Sequence, residues 1–369
     1  MPAYFDHHAT TPCDPRVVEA MLPYFTEIFG NPASLTHVEG RKASNALENA
    51  RIAIARFFRV MPPEIVFTAG ATESNNIALN LVKPGEHLVT SPMEHKSVIA
   101  PAARHDVTYV QPDRDGIIHP AALRAALRPD TKLVSIEAAN GEIGTIQPLA
   151  ELAAVCRERK IFFHTDATQA AGKIPLDLTN VDLASFSAHK VYGPKGIGAL
   201  FVRRGIRIEP VVIGGGQERN IRSGTVNVPG AVGFAKALQL RVEEMQPEAE
   251  RLSVLRDTLA ERISSTIDGV SINGPREVRL PGNLNVSFER IEAESLILAM
   301  KNFSLSSGSA CSSGERGPSR VLTAIGVPEP LAMGSIRIGL GKSNTAEEAE
   351  HFVDDLRRMV RKLREITAA

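Results

Sequence analysis

The sequence predicts an α/β fold: a large, mostly parallel sheet covered by helices on both faces, joined to a smaller α+β domain. Three observations predict it. Between residues 65 and 202, short apolar runs alternate with helical patterns, the mark of strand–helix–strand units. Beyond residue 250 the texture changes to short β segments set among helices. The 369 residues also exceed what one small core organises. The expected division is 15–250 for the large domain, with 1–14 and 251–369 forming the small one.

Residues 4–15, Y-F-D-H-H-A-T-T-P-C-D-P, read as an extended segment closed by two prolines. His7 and His8 are adjacent, so an extended backbone points them to opposite sides, which argues against a shared metal. Gly30-Asn31-Pro32 makes a turn. Residues 34–58 read as a helix, with Leu47, Ala50, Ile54 and Phe57 spaced at three and four. Ile65–Thr68 is a strand, and Gly70-Ala71-Thr72-Glu73-Ser74 opens an apolar helix after it. Such a turn offers N–H groups to an anion, although ordinary helix caps use the same residues.

His87–Thr90 is the next strand, with His95 in the loop that follows. Strands are expected at 107–110 and 133–136, with a helix near 121–127 between them. A helix over 148–159 starts with proline and leads to a strand at 161–164, ending at Thr165-Asp166-Ala167-Thr168-Gln169. A strand at 183–186 runs into Ser187, His189 and Lys190, then a turn-rich segment, and 197–202 returns as a strand. Gly214-Gly215-Gly216 lacks the spacing of a dinucleotide loop and reads as a flexible turn. Two helices are expected between 228 and 267, then strands at 270–272, 284–287, 304–306 and 335–338. The last helix opens on Thr345 and Glu348, a capping-box spacing, with an apolar stripe of Val353, Leu356, Val360 and Leu363.

Composition narrows the function classes. Lys+Arg and Asp+Glu both number 42, so no net field favours nucleic acid or an acidic membrane surface. No run of about 18 apolar residues suggests a membrane span. The N-terminus lacks the basic start and apolar core of a signal peptide. Three widely spaced cysteines, Cys13, Cys156 and Cys311, fit a reducing compartment better than a disulfide framework or a zinc site. The expectation is a soluble cytoplasmic protein without a resident metal.

Sheets of this kind bind ligands beyond the C-terminal ends of their strands, and Thr72, His95, Asp166 and Lys190 all fall there. A lone lysine in a polar loop is ordinarily a surface residue. Beside hydroxyl and imidazole groups after a strand, it is also where an amine that forms a Schiff base is placed. If Lys190 holds pyridoxal 5'-phosphate, the ring nitrogen needs a buried carboxylate to stay protonated, and Asp166 is the candidate over its common use as a helix cap. His95 can stack on the ring and move the substrate's α-proton. Ala71 and Thr72, with Ser187 and His189, can bind the phosphate, and Gln169 can donate to the ring oxygen. A substrate carboxylate wants a bidentate guanidinium, for which Arg337 is preferred over Arg222.

Residues 304–319, S-L-S-S-G-S-A-C-S-S-G-E-R-G-P-S, set Cys311 in a loop of serine and glycine. Most free cysteines are buried and inert, but Arg316 and Arg320 would favour a thiolate here. Together with a pyridoxal site this suggests a reaction: the thiolate takes the sulfur of cysteine, alanine leaves, and Cys311 keeps a persulfide.

The residues that carry this reading resemble the class I cysteine desulfurases, the NifS/IscS type of fold-type I pyridoxal phosphate transferases. The resemblance runs nearly end to end: A-T-T-P at 9–12, F-G-N-P-A-S at 29–34, G-A-T-E-S-N-N at 70–76, E-H-K at 94–96, D-A-T-Q at 166–169, S-F-S-A-H-K at 185–190, R-S-G-T at 222–225, S-S-G-S-A-C at 306–311 and S-I-R at 335–337. It implies Lys190 as the Schiff-base residue, His95 as the stacking acid/base, Asp166 at the pyridine nitrogen and Gln169 at the ring oxygen. It further implies Thr72, Ser187 and His189 at the phosphate, joined by Thr225 from the partner subunit of a homodimer. Asn31 and Arg337 would hold the carboxylate of L-cysteine. Cys311 would carry the persulfide to a sulfur-acceptor protein, and would be the residue to touch a nascent cluster.

Two departures from the family pattern stand out. Asn140-Gly141-Glu142 replaces the usual Asn-Asn-Glu, which removes a donor to the ring oxygen and predicts a changed absorption and pH response of the bound cofactor. The C-terminus ends soon after Leu363, which favours a dedicated cluster pathway, tRNA thiolation or selenium handling over delivery to the general scaffold. Selenocysteine lyase is the competing enzyme, and a non-catalytic binding partner that keeps the fold is the competing class. The joint presence of Lys190, His95, Asp166 and Cys311 argues against the latter.

Overall fold

The computed structural model describes residues 2–307 and 317–368; Cys311 and Arg316 lie outside the described residues. A short strand near the N-terminus, β1 (Ala3–Tyr4), is followed by the seven strands of the large sheet. These are β2 (Ile65–Thr68), β3 (His87–Thr90), β4 (Asp106–Tyr109), β5 (Thr131–Ser135), β6 (Phe162–Asp166), β7 (Leu183–Ser187) and β8 (Gly198–Val202), in the spatial order β2-β8-β7-β6-β5-β3-β4. Pairings from β7 across to β4 are parallel, whereas β8 runs antiparallel to both β7 and β2. The reason is the connection: residues 188–197 are too short for the crossover that a parallel return needs.

β7 is buried at every position, as expected of a central strand covered on both faces. On one face, the helix Val38–Phe58 stacks Phe58 on Phe186 with ring centroids 4.1 Å apart. On the other, the helix Ala71–Leu79 packs Ile77 and Leu79 with Leu183 and Leu200. The first of these helices begins later than its apolar spacing suggests, because His37 Nδ1 accepts the Gly40 N–H at 3.1 Å and so caps it.

The expectation of two helices between 228 and 267 is overturned. A single helix, Val228–Thr266, runs through Pro247 without a break. At 39 residues it is about 58 Å long. Its first half sets Ala231, Phe234 and Leu238 into the core of the large sheet. Its second half sets Leu252, Leu255, Leu259 and Ile263 into another core. Burial of both halves outweighs the local break signal of one proline, worth about 3 kcal/mol.

That other core lies on an antiparallel sheet of β9 (Val270–Asn273), β10 (Asn283–Phe288) and, after the short β11 (Phe303–Ser304), β12 (Ser335–Gly339), in the order β12-β10-β9. The helix Ala346–Ala368 covers it with Phe352, Val353, Leu356 and Val360. Its capping box is formed: Glu348 N–H donates to Thr345 Oγ1 at 3.1 Å, and Thr345 N–H to Glu348 Oε2 at 3.2 Å.

The N-terminal segment ties the two sheets together. β1 pairs with β11, His7 N–H donates to the Gly339 carbonyl at 3.0 Å, and Thr11 N–H donates to the His189 carbonyl at 2.9 Å. No described helix is long and apolar enough to cross a membrane. Because Phe186 fills the layer beneath the end of β7, Phe186→Ala should lower unfolding stability by about 3–5 kcal/mol. Urea denaturation measures this, and a loss below about 1 kcal/mol would show that the layer closes around the gap.

Candidate active site

The C-terminal ends of the parallel strands open into a cavity of about 1180 Å³. Ala71, Thr72, His95, Asp166, Gln169, Ser187, His189, Lys190 and Arg337 all line it. They come from different strand ends of one sheet, apart from Arg337, which β12 carries across from the other sheet. Asn31, Arg222 and Thr225 do not line it in this single chain. Asn31 is exposed in its turn and accepts the Ala33 N–H at 3.0 Å. Arg222 pairs with Glu73 at 3.2 Å, and Thr225 is exposed.

Lys190 follows β7 in a short turn, Ala188–Lys190. Its Nζ donates to the His8 and Ala9 carbonyls, each at 2.6 Å. His189 sits against Thr10, with Nδ1 3.0 Å from its hydroxyl. Burial, then the charges of Lys190 and Lys195, push the His189 pKa down to about 4, so the ring is neutral near pH 7. Gly70 caps the helix Ala71–Leu79 at φ 154°, ψ −179°, a conformation open to glycine alone, and no side chain caps this helix. Its first N–H groups therefore face the cavity beside Ser187, an arrangement suited to an anion.

Asp166 ends β6 and is buried. Its Oδ1 accepts the Thr168 N–H at 3.0 Å and its Oδ2 the Asn75 side-chain amide at 2.7 Å. Asn75 Nδ2 also donates to Ser97 Oγ at 2.9 Å, and Ser97 Oγ lies 2.7 Å from His95 Nδ1. His95 Nδ1 accepts the Ser97 backbone N–H at 3.1 Å, so that nitrogen is the acceptor and the Nε2 edge is left for the cavity. Asn75 and Ser97 thus join the carboxylate to the imidazole. Sequence reasoning missed them: Asn75 stands within a quoted motif and Ser97 just after one, but their meeting depends on how two helices cross.

Arg337 Nη2 donates to Asp6 Oδ1 at 2.8 Å and Nη1 to the Gly141 carbonyl at 3.3 Å. Its Nε is buried with no partner among the described residues, a donor left for an incoming carboxylate. Gly141 has a second consequence beyond the absence of a side chain. A Cβ there would fall 2.6 Å from Gln169 Nε2, so the Gln169 amide occupies the space that a residue at 141 would fill. An asparagine at 141 would push that amide aside.

Glu94, Glu137 and Glu142 form a buried acidic wall of the same cavity. Glu94 Oε1 accepts the Glu137 N–H at 2.5 Å, and Glu137 Oε1 the Asn140 side-chain amide at 2.7 Å. Burial, then Glu137 and Asp166, hold the Glu94 carboxyl well above its usual range. Burial pushes Glu137 up to about 8. Among the described residues no group of three or more His, Cys, Asp or Glu is arranged to hold a metal. Cys156 is kept as a thiol by burial, which pushes it up to about 12, and burial also raises Cys13.

Residues 3–352 match the family model described as Aminotransferase class-V. The chain is 49% identical to the cysteine desulfurase IscS of Anaeromyxobacter dehalogenans, over 100% of this chain and 94% of that protein. Superposition on a solved NifS-like protein gives a TM-score of 0.90 at 39% identity, covering 98% of this chain and 100% of that one. A solved structure of SspA in complex with cysteine gives 0.81 at 38% identity, covering 92% of this chain and 98% of that one.

The acidic wall makes the fold's stability depend on pH. An acid whose folded pKa lies above its unfolded value holds its proton more tightly in the fold. For Glu137 that contribution is complete below about 4.5 and is lost as pH rises through about 8. Neutral His189 acts on the acid side, where stability is lost as pH falls from 6.5 to about 4. Glu137→Gln should therefore flatten the fall in Tm between about pH 6 and pH 9 and leave the acid limb in place. Calorimetry across that range tests it, and an unchanged alkaline slope would remove Glu137 as its source.

Proposed function

The chain belongs to the aminotransferase class-V family, among its cysteine desulfurases, and from that premise we propose that its cavity holds pyridoxal 5'-phosphate and converts L-cysteine to L-alanine, with the sulfur passed to Cys311 as a persulfide. One observation carries the reading: a lysine amine, a buried carboxylate and an uncapped helix start face a single cavity, with an arginine nitrogen in its wall that has no partner among the described residues.

The residues present fit the cofactor. The N–H groups at Ala71 and Thr72, with Ser187 and neutral His189, supply donors for a phosphate. Asp166 keeps lone pairs beyond the two hydrogen bonds it accepts, enough for a protonated ring nitrogen. When bound, pyridoxal phosphate supplies an aldehyde for an amine and a ring that draws electrons from the α-carbon. Lys190, held by two carbonyls, places its amine at the floor. Asp166 keeps the positive charge at the ring edge, and Arg337 orients the substrate carboxylate. His95, tethered through Nδ1, presents its other nitrogen for proton transfer at the α-carbon. Cys13 and Cys156 are held as thiols, which leaves Cys311 as the thiolate that takes the sulfur.

Several finer assignments complete the reading. Leu22, Phe25, Phe29 and Val211–Ile213 expose apolar surface, and Val211 is also on the cavity wall. A homodimer would cover this surface, with the exposed Thr225 serving the partner's phosphate site. The free Cys13 and Cys156 suit the cytoplasm. A protein acceptor, for iron–sulfur assembly or tRNA thiolation, would remove the sulfur from Cys311.

Purified protein loaded with pyridoxal phosphate should be coloured and release alanine from L-cysteine, and mass spectrometry should find one added sulfur on Cys311. Lys190→Ala should reduce alanine to background, and Cys311→Ala should abolish the added sulfur. Alanine formation by the Lys190→Ala protein at the wild-type rate would overturn the assignment.

A further inference from the structure

Behind the cavity wall, a second layer of residues decides which way the Gln169 amide faces. Lys173 Nζ donates to Gln169 Oε1 at 2.8 Å, and Gln169 Nε2 donates to the His8 carbonyl at 3.0 Å. A lysine nitrogen always has a hydrogen to give, and a backbone carbonyl only accepts. These two partners therefore fix the amide in one orientation. His8 Nδ1 lies 3.1 Å from the same Oε1, so that ring nitrogen is the donor. Gly141 leaves the room, since a Cβ there would reach within 2.6 Å of Nε2. The second Nε2 hydrogen is left for an occupant of the cavity that Gln169 lines.

We propose that Lys173 is a positioning residue: it holds the Gln169 amide so that the N–H end, and not the oxygen, is presented to an anionic oxygen in the cavity. The proposal rests on the reading above, in which that oxygen belongs to the pyridoxal ring. Without Lys173 only the His8 carbonyl and ring nitrogen hold the amide, so the orientation that presents the N–H end loses one of its three restraints. His189 and Lys190 face Lys173 from the turn after β7, Arg337 from β12, Arg241 and Glu248 from the long helix, and His7 and His8 from the N-terminal segment. Burial, then Lys190 and Arg337, hold its ammonium pKa well below the usual range. Charged or neutral, the nitrogen still donates to Oε1, so the orientation survives loss of the charge.

The test uses the full chain with Lys173→Met, Gln169→Ala and the double variant. Two quantities are read: the dissociation constant for pyridoxal phosphate added to apoprotein, and the pH midpoint of the visible absorbance of the loaded protein. Lys173→Met should weaken binding about three- to tenfold, the worth of one hydrogen bond. It should also move the midpoint in the same direction as Gln169→Ala, and the double variant should do no more than Gln169→Ala alone. Should Lys173→Met fail to fold, Gly141→Ala displaces the same amide from the cavity side and should give the same shift. Wild-type behaviour of Lys173→Met beside a shifted Gln169→Ala, or additive effects in the double variant, would overturn the proposal. Absence of saturable binding and colour in the wild-type protein would instead remove the cofactor reading beneath it.

Discussion

The two carbonyls of His8 and Ala9 that accept the Lys190 amine at 2.6 Å are the constraint on which the rest of the site depends. A part-buried amine needs such partners. They come from the N-terminal segment, which is pinned to β11 and Gly339 on one side and to His189 on the other. The same His8 carbonyl also receives Gln169. One short stretch of backbone thus sets the depth of the lysine, the seat of the glutamine and the approach of the two sheets.

Around that stretch the charges are arranged by burial. His189 is neutral, so Lys190 has no positive imidazole against it. Glu94 and Glu137 retain protons that exposed carboxylates would lose, which keeps the far wall from competing with Asp166 for a cationic group. Asp166 instead has its lone pairs steered by Thr168 and Asn75. The polarity that results is anionic at the Asp166 end and rich in donors at the helix start, a gradient that orients a zwitterionic occupant before any chemistry begins.

Much of the architecture was legible because local pattern and burial agree there. Ile65–Thr68 and His87–Thr90 keep the bounds their apolar runs indicate, and strand-end placement alone set Thr72, His95, Asp166 and Lys190 near one another. What stayed hidden depends on distance in the chain. Pro247 reads locally as a break, and only the two cores it bridges show why the helix continues. The Asn75–Ser97 link and the Lys173–Gln169 contact join residues whose own sequence windows look like ordinary turns and caps. Gly141 read as a lost donor, whereas packing shows it as room for Gln169. The reversal of β8 follows from the segment before it, too short for a parallel return.

The long helix has one further consequence. A stiff rod with its halves sunk in different cores leaves no slack for either core to come apart alone. Loosening one must bend the rod at its middle or strip the other core of Leu252 or Phe234 as it goes. The two halves are therefore bound into a single cooperative unit, and heat should undo the molecule in one sharp step where two staggered ones would otherwise be seen.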